Sequence, residues 1–163
     1  MSKPPLSIIV AMDRNRLIGS NGHLPWDRPE DLCLFRQLTE GNTVIMGHGT
    51  FSSLGSPLAN RHNLVISRTL EKRDDLSICR SFSEALTMAR QFNRPVFFIG
   101  GRTVYQLALE IVDQLHISWI EGDFSGDCYF PDVEFNDWQA VEEKDLTGFR
   151  YIRYRRRDAN REG

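Results

Sequence analysis

Apolar positions along this chain change their period repeatedly, and the changes mark its elements. Strand-like runs occupy Leu6–Met12, Thr43–Met46, Asn63–Ser67, Pro95–Ile99 and Gln114–Ile120. Helical spacing covers Pro29–Glu40, a short stretch from Gly49, Ser81–Gln91 and Arg102–Ile111. Ser81 and Glu84 form a capping-box pattern at the start of the third of these helices. Val96, Phe97, Phe98 and Ile99 make an unbroken apolar run, as a strand covered on both faces should. The alternation predicts an α/β domain with a largely parallel sheet. After Phe130 the pattern shifts, and Trp138–Glu143 and Phe149–Arg156, joined through Gly148, predict an antiparallel edge. No repeat or linker divides the chain, so residues 1–163 are expected to form one domain, with 158–163 a frayed tail.

One residue breaks the pattern of the first helix. At about 100° per residue, Leu34, Phe35 and Leu38 share an apolar arc, and Asp31 lies inside it. Glu30, Arg36, Gln37 and Glu40 take the opposite face. An ionised carboxylate is costly to bury without a partner. Asp31 is therefore bonded within the protein, waits at a pocket for a cationic or hydrogen-bond-donating ligand, or is a half-exposed acid favoured by the helix dipole.

Composition changes this picture little. With 40% hydrophobic and 26% charged residues over 163 positions, the chain reads as one soluble globular domain. A net charge of −2 gives no reason to expect nucleic acid or a membrane as partner. Arg153, Arg155, Arg156 and Arg157 interleave with aromatic and aliphatic residues as one face of a solvated strand edge would. Cys33, Cys79 and Cys128 lack metal or redox spacing, so no metal is expected. With no signal peptide and no stretch able to span a bilayer, the cytoplasm is the expected compartment.

Three connections carry possible chemistry. Asp13–Arg28 is a long loop with Gly19, Gly22, Pro25 and Trp26, either a lid or an ordinary surface excursion. Gly100-Gly101-Arg102-Thr103 and Gly47-His48-Gly49-Thr50 each run from a strand into a helix. Such turns present free N–H groups to phosphate, although tight packing alone explains either one. Together they could hold the pyrophosphate of one dinucleotide.

Ile18-Gly19, Leu24-Pro25-Trp26, Pro29-Glu30-Asp31-Leu32, Val44-Ile45-Met46-Gly47, Thr50-Phe51, Pro57-Leu58, Arg61, Gly100-Gly101 and Tyr105, in this order, resemble bacterial-type dihydrofolate reductases. Gly126-Asp127 and Phe130-Pro131-Asp132 extend the likeness over nearly the whole chain. The resemblance implies a central, mostly parallel eight-stranded sheet with an antiparallel C-terminal strand and four flanking helices. It implies a monomer that reduces 7,8-dihydrofolate with NADPH, by hydride transfer to pterin C6 and protonation of N5 by way of water. Asp31 falls on the acid that holds the pterin, Trp26 on a residue that orients a water, and Ser118 on a small hydroxyl residue behind Asp31. Ile9, Val10, Leu32, Phe35, Leu54 and Ile99 match the apolar walls, and Arg36 joins the substrate-facing set. Arg61 matches the clamp for the substrate's α-carboxylate. Ala11, Ile18, Gly19, Gly47, His48, Gly49, Thr50, Ser67, Arg68, Gly100, Gly101, Arg102, Thr103 and Tyr105 match the cofactor's surroundings. The Gly100–Gly101 bond is cis in the family.

Two departures stand out. His48 replaces the usual arginine for the cofactor's 2′-phosphate, which leaves Ser67-Arg68 to read that group. Leu58-Ala59-Asn60 precedes Arg61 where Pro-Gly or a similar pair is usual. The rivals are a pterin or pyrimidine reductase on the same fold, disfavoured by Asp31 with Leu24-Pro25-Trp26, and a non-catalytic binder, which should have lost the acid.

Overall fold

A computed structural model describes residues 3–20 and 24–157. The chain runs β1 (Leu6–Met12), β2 (Leu17–Gly19), α1 (Pro29–Thr39), β3 (Thr43–Gly47), α2 (His48–Leu54), β4 (His62–Ile66) and β5 (Ser77–Cys79). It continues through α3 (Phe82–Gln91), β6 (Val96–Phe98), α4 (Arg102–Ala108), β7 (Gln114–Ile120), β8 (Cys128–Tyr129), a 3-10 turn, β9 (Trp138–Leu146) and β10 (Phe149–Arg156). The eight-stranded sheet has the order β5-β4-β3-β6-β1-β7-β10-β9. Its strands run parallel except β10, which pairs antiparallel with both β7 and β9.

The period-two alternation of the strands explains the layers. Ile8, Val10 and Ile45 point into a cluster with Ala85 and Ala89 of α3 and Val104 and Ala108 of α4. Their neighbours Ile9, Val44 and Met46 face the other way, against Phe51 of α2 and Phe35 and Leu38 of α1. Helices thus cover both faces, and a one-residue slip would turn every strand inside out. Ser81 caps α3 by accepting from the Glu84 N–H at 3.0 Å, and the Glu84 carboxylate reaches past the cap to the Arg80 N–H at 2.6 Å.

The C-terminal arginines need a correction. β10 is interior and β9 is the edge. The charges lie on paired strands, with Arg153 on Glu142 at 3.0 Å and Arg150 on Asp145 at 2.7 Å. The expected frayed tail lies outside the described residues. The long loop is also less open than its composition implied. Asp13 Oδ1 accepts from the Asn15 and Leu17 N–H groups, both at 2.9 Å, and β2 pairs with β8. Gly126 lies so close to the Gly19 carbonyl that no side chain would fit. Gly22 lies outside the described residues.

Candidate active site

β1 and β6 lie side by side, and their outgoing connections diverge: α1 leads toward β3, α4 toward β7 on the far side of β1. In open α/β sheets such a switch point leaves a crevice at the carboxyl ends of the strands. A cavity of about 790 Å³ sits there, bounded by Ile9, Val10 and Ala11 of β1, Gly47 of β3 and Ile99 to Gly101 after β6.

Asp31 stands on the α1 wall of this cavity and accepts a hydrogen bond from Ser118 of β7. Burial raises its carboxyl above the ordinary carboxylate range, and the Ser118 bond only partly opposes this. The surroundings are apolar: Leu32, Phe35, Leu54, Ile99 and Leu24 line the same space. Leu24, Leu32 and Leu54 remain exposed at its mouth, three large hydrophobics gathered on one cavity. Trp26 lies outside the lining, 8% exposed, edge-on to Phe124, and its Nε1–H meets no acceptor among the described residues.

Arg28 fixes the start of α1. Its guanidinium donates to the Glu121 carbonyl at 3.0 Å and the Gly148 carbonyl at 3.3 Å, and lies over the Phe124 ring. The helix carrying Asp31 is thereby anchored to the connection after β7 and to the β9–β10 turn.

The other side of the cavity is backbone and glycine. The Gly100–Gly101 peptide is cis, and Gly100 at φ +120 takes an angle that side chains rarely adopt. Its carbonyl accepts from the Gly47 N–H at 2.8 Å, joining the two strand-to-helix turns. Neither Gly47 nor Gly101 has a side-chain cap on the helix it starts, and a Cβ at Gly49 would meet nothing within 4 Å. The backbone there faces open cavity. Thr50, Ser53, Thr103 and Arg102 border it, with the Arg102 guanidinium tied to the Tyr129 carbonyl at 2.7 Å. Tyr105 is buried, donates to the Ile9 carbonyl at 3.0 Å, and is held un-ionised by desolvation.

At the rim, Ser67 fixes the state of His48. The Ser67 Oγ accepts from the Thr69 and Leu70 N–H groups at 3.2 and 2.9 Å, so its own proton is directed to His48 Nδ1 at 3.1 Å. A ring that accepts at Nδ1 carries its proton on Nε2. Neutral His48 is thus an Nε2–H donor.

Ile9, Val10, Ala11, Ile18, Gly19, Asp31, Leu32, Phe35, Gly47, His48, Gly49, Thr50, Leu54, Ile99, Gly100, Gly101, Arg102, Thr103, Tyr105 and Ser118 all line the one cavity. Trp26, Arg36, Arg61, Ser67 and Arg68 do not. Arg36 is on the outer face of α1, 3.8 Å from Glu40. Ser67 is buried, its hydroxyl engaged as above, so it is a support for His48 where a direct phosphate contact was expected. Arg68 is exposed and has no partner among the described residues. Arg61 donates to Thr39 Oγ1 at 2.9 Å and to the Ala59 carbonyl at 2.8 Å, at the C-terminal end of α1. Asn60 takes φ 60 and bonds Glu40 at 3.1 Å, so an asparagine serves the left-handed turn that a glycine fills in the usual pattern. Leu24, Ser53, Val104 and Cys128 also line the cavity. Ser53 was readable, one helical turn after Gly49 and Thr50; Cys128 was not, since only the β2–β8 pairing brings it there.

The sequence profile of the dihydrofolate reductase family matches residues 5–156. Dihydrofolate reductase of Bacillus subtilis (strain 168) is 32% identical over 166 residues, covering 97% of this chain and 98% of that protein. Dihydrofolate reductase of Staphylococcus aureus is 39% identical over 137 residues, covering 83% of this chain and 84% of that protein. Among solved structures, dihydrofolate reductase from Enterococcus faecalis complexed with NADP(H) and RAB-propyl superposes with a TM-score of 0.84 at 30% identity, over 94% of this chain and 97% of that one. Fold and cavity define an α/β protein that holds its ligands across the carboxyl ends of a parallel sheet, between an acid and a glycine-rich wall. The chain belongs to the dihydrofolate reductase family.

Proposed function

We propose that this protein is the NADPH-dependent reductase of 7,8-dihydrofolate, and that it acts as a monomer in the cytoplasm. The observation that carries the reading is one carboxylate, Asp31, set in an apolar cavity that ends in glycine turns. A flat, hydrogen-bond-donating ring is the ligand such a wall suits. Asp31 accepts from the pterin's ring N–H and exocyclic amine, and Ser118 keeps the carboxylate turned toward them. Phe35, Leu32, Leu54 and Ile99 cover the faces of the substrate's rings, with Ile9 and Val10 beneath. Trp26 has a buried donor without an acceptor, which suits it to hold a water for the proton that N5 must gain. Arg61, a fork fixed on one side by Thr39 and Ala59, keeps its other N–H groups for the glutamate α-carboxylate. Arg36 adds longer-range positive charge.

The chain fits NADPH on its own evidence. Gly49 is open where a Cβ would project, and the turns Gly47–Thr50 and Gly100–Thr103 offer uncapped backbone for a pyrophosphate. When bound, NADPH supplies the hydride that reduces the pterin at C6. Ala11, Ile18, Gly19 and Tyr105 hold its nicotinamide end. His48 and Arg68 take the 2′-phosphate, and Ser67 orients His48. The test is direct: NADPH and dihydrofolate are mixed with the protein and the nicotinamide absorbance is followed. Turnover with dihydrofolate, and little with oxidised pterins or pyrimidines, is the expected result. No NADPH oxidation by a folded protein that binds NADPH would leave a non-catalytic binder.

A further inference from the structure

Most arginines of this chain are engaged by protein groups: Arg28, Arg80 and Arg156 bind carbonyls, and Arg73, Arg150 and Arg153 bind carboxylates. Arg90 and Arg94 are not. Neither side chain has a hydrogen bond or ion pair to any described residue, and neither does that of Lys3. All three line one cleft of about 600 Å³, over a floor that includes Leu6 and Val96. The cleft lies at the amino ends of β1 and β6, whereas the reductase cavity opens at their carboxyl ends.

A helix dipole explains Arg90, in the last turn of α3, but not the other two. Arg94 follows the left-handed turn at Asn93, which reverses the chain and brings it back beside Arg90, and Lys3 arrives from the lead-in to β1. The one acid in the lining, Asp113, already accepts the Leu6 N–H at 3.0 Å and pairs with none of the three cations. Three unpaired cations facing one carboxylate leave this cleft positive in a chain whose net charge is −2. Two guanidiniums and an ammonium on residues bordering one concave surface suit the oxygens of a phosphate chain.

We propose that this cleft is a second ligand site, for a small oligophosphate anion, separate from the reductase cavity. Free oligophosphate and the phosphate chain of a nucleotide share this chemistry. The experiment is isothermal titration of the protein, with NADPH at saturation so that the glycine turns are filled, using sodium triphosphate and then ATP. Wild type should bind triphosphate at one saturable site, more weakly as salt rises. Arg90→Gln with Arg94→Gln should weaken it by about tenfold or more with NADPH affinity unchanged. Both side chains are exposed, so the variant should keep the wild-type melting temperature. ATP competing with triphosphate for the same site marks the nucleotide as an admissible source, and ATP failing to compete marks the free anion. No saturable binding by wild type, or binding unaltered in the double variant, overturns the proposal.

Discussion

On and beneath α1, the half-buried Asp31 and the buried His116 are both driven toward their neutral forms. Across the cavity, the groups proposed to meet the cofactor's phosphates are the backbone of two glycine turns and, outside the lining, the exposed Arg68. Burial raises the Asp31 carboxyl and pushes His116 down to about 4, with the charge of Arg153 a lesser cause, and His116 bonds Tyr151 Oη at 2.7 Å. Arg68 stands in solvent with no protein partner among the described residues. The half that carries Asp31 thus holds its carboxyl at a cost to the apo-protein, while Arg68, on the half proposed for the phosphates, is already solvated and pays no such cost. Substitutions in the two halves should therefore fail differently.

The largest effect belongs to Asp31→Asn. Turnover near neutral pH should fall by roughly two to four orders of magnitude, with partial recovery at low pH where substrate arrives protonated. The fold should gain. A carboxyl whose folded pKa is raised favours the native state at low pH and loses that contribution as pH rises through the folded value. The Asn variant should therefore melt higher than wild type at pH 8, and the difference should shrink as pH drops. A variant with full neutral-pH turnover, or one less stable at pH 8 than wild type, would contradict a strained, functional acid.

His116 has the opposite sign. Its folded pKa is depressed, so its contribution is present above about 6.5 and is lost as pH falls toward 4, amounting to about 3 kcal/mol. Denaturant unfolding of wild type and His116→Gln across that window checks this. The variant should start less stable and lose less on acidification, and parallel curves would remove His116 from the pH response.

Arg68→Ala tests the solvent-facing half. A charge-assisted contact is worth about 1.5–3 kcal/mol, so kcat/KM for NADPH should drop about one to two orders of magnitude with NADH nearly unaffected and the melting temperature unmoved. An unchanged cofactor ratio would place the 2′-phosphate contact elsewhere. Arg61→Leu should have the smallest effect, raising KM for dihydrofolate about tenfold and sparing a pterin without the glutamate tail. Equal losses on both substrates would make Arg61 a structural tie between Thr39 and Ala59.

The same division decided what the sequence could disclose. Asp31 was legible because a charge on an apolar arc is a local anomaly, and the strands β1 and β7 were read to the residue because each is a seven-residue, mostly apolar run. β2, β5 and β8 were missed: runs of three, three and two residues carry no periodicity, and each becomes a strand only by pairing with a partner. Ser67 is a related case. Its position beside Arg68 suggested a phosphate ligand, whereas its hydroxyl faces inward to three groups of its own chain. Sequence adjacency to a functional residue says little about which way a side chain points at a strand end.

Arg28 has an evolutionary consequence. Gly148 has φ +82, and a methyl there would lie 2.6 Å from Arg28 Nε. The two positions, 120 residues apart, are therefore an epistatic pair. A side chain at position 148 would force the Arg28 guanidinium out of its place on the Glu121 and Gly148 carbonyls, on top of the cost of the backbone angle. With a small residue in place of Arg28, an asparagine able to adopt that angle costs less at 148, and a return to arginine would then have to displace it. The order in which these two substitutions arise thus determines which sequences a lineage can reach, although neither residue lines the reductase cavity.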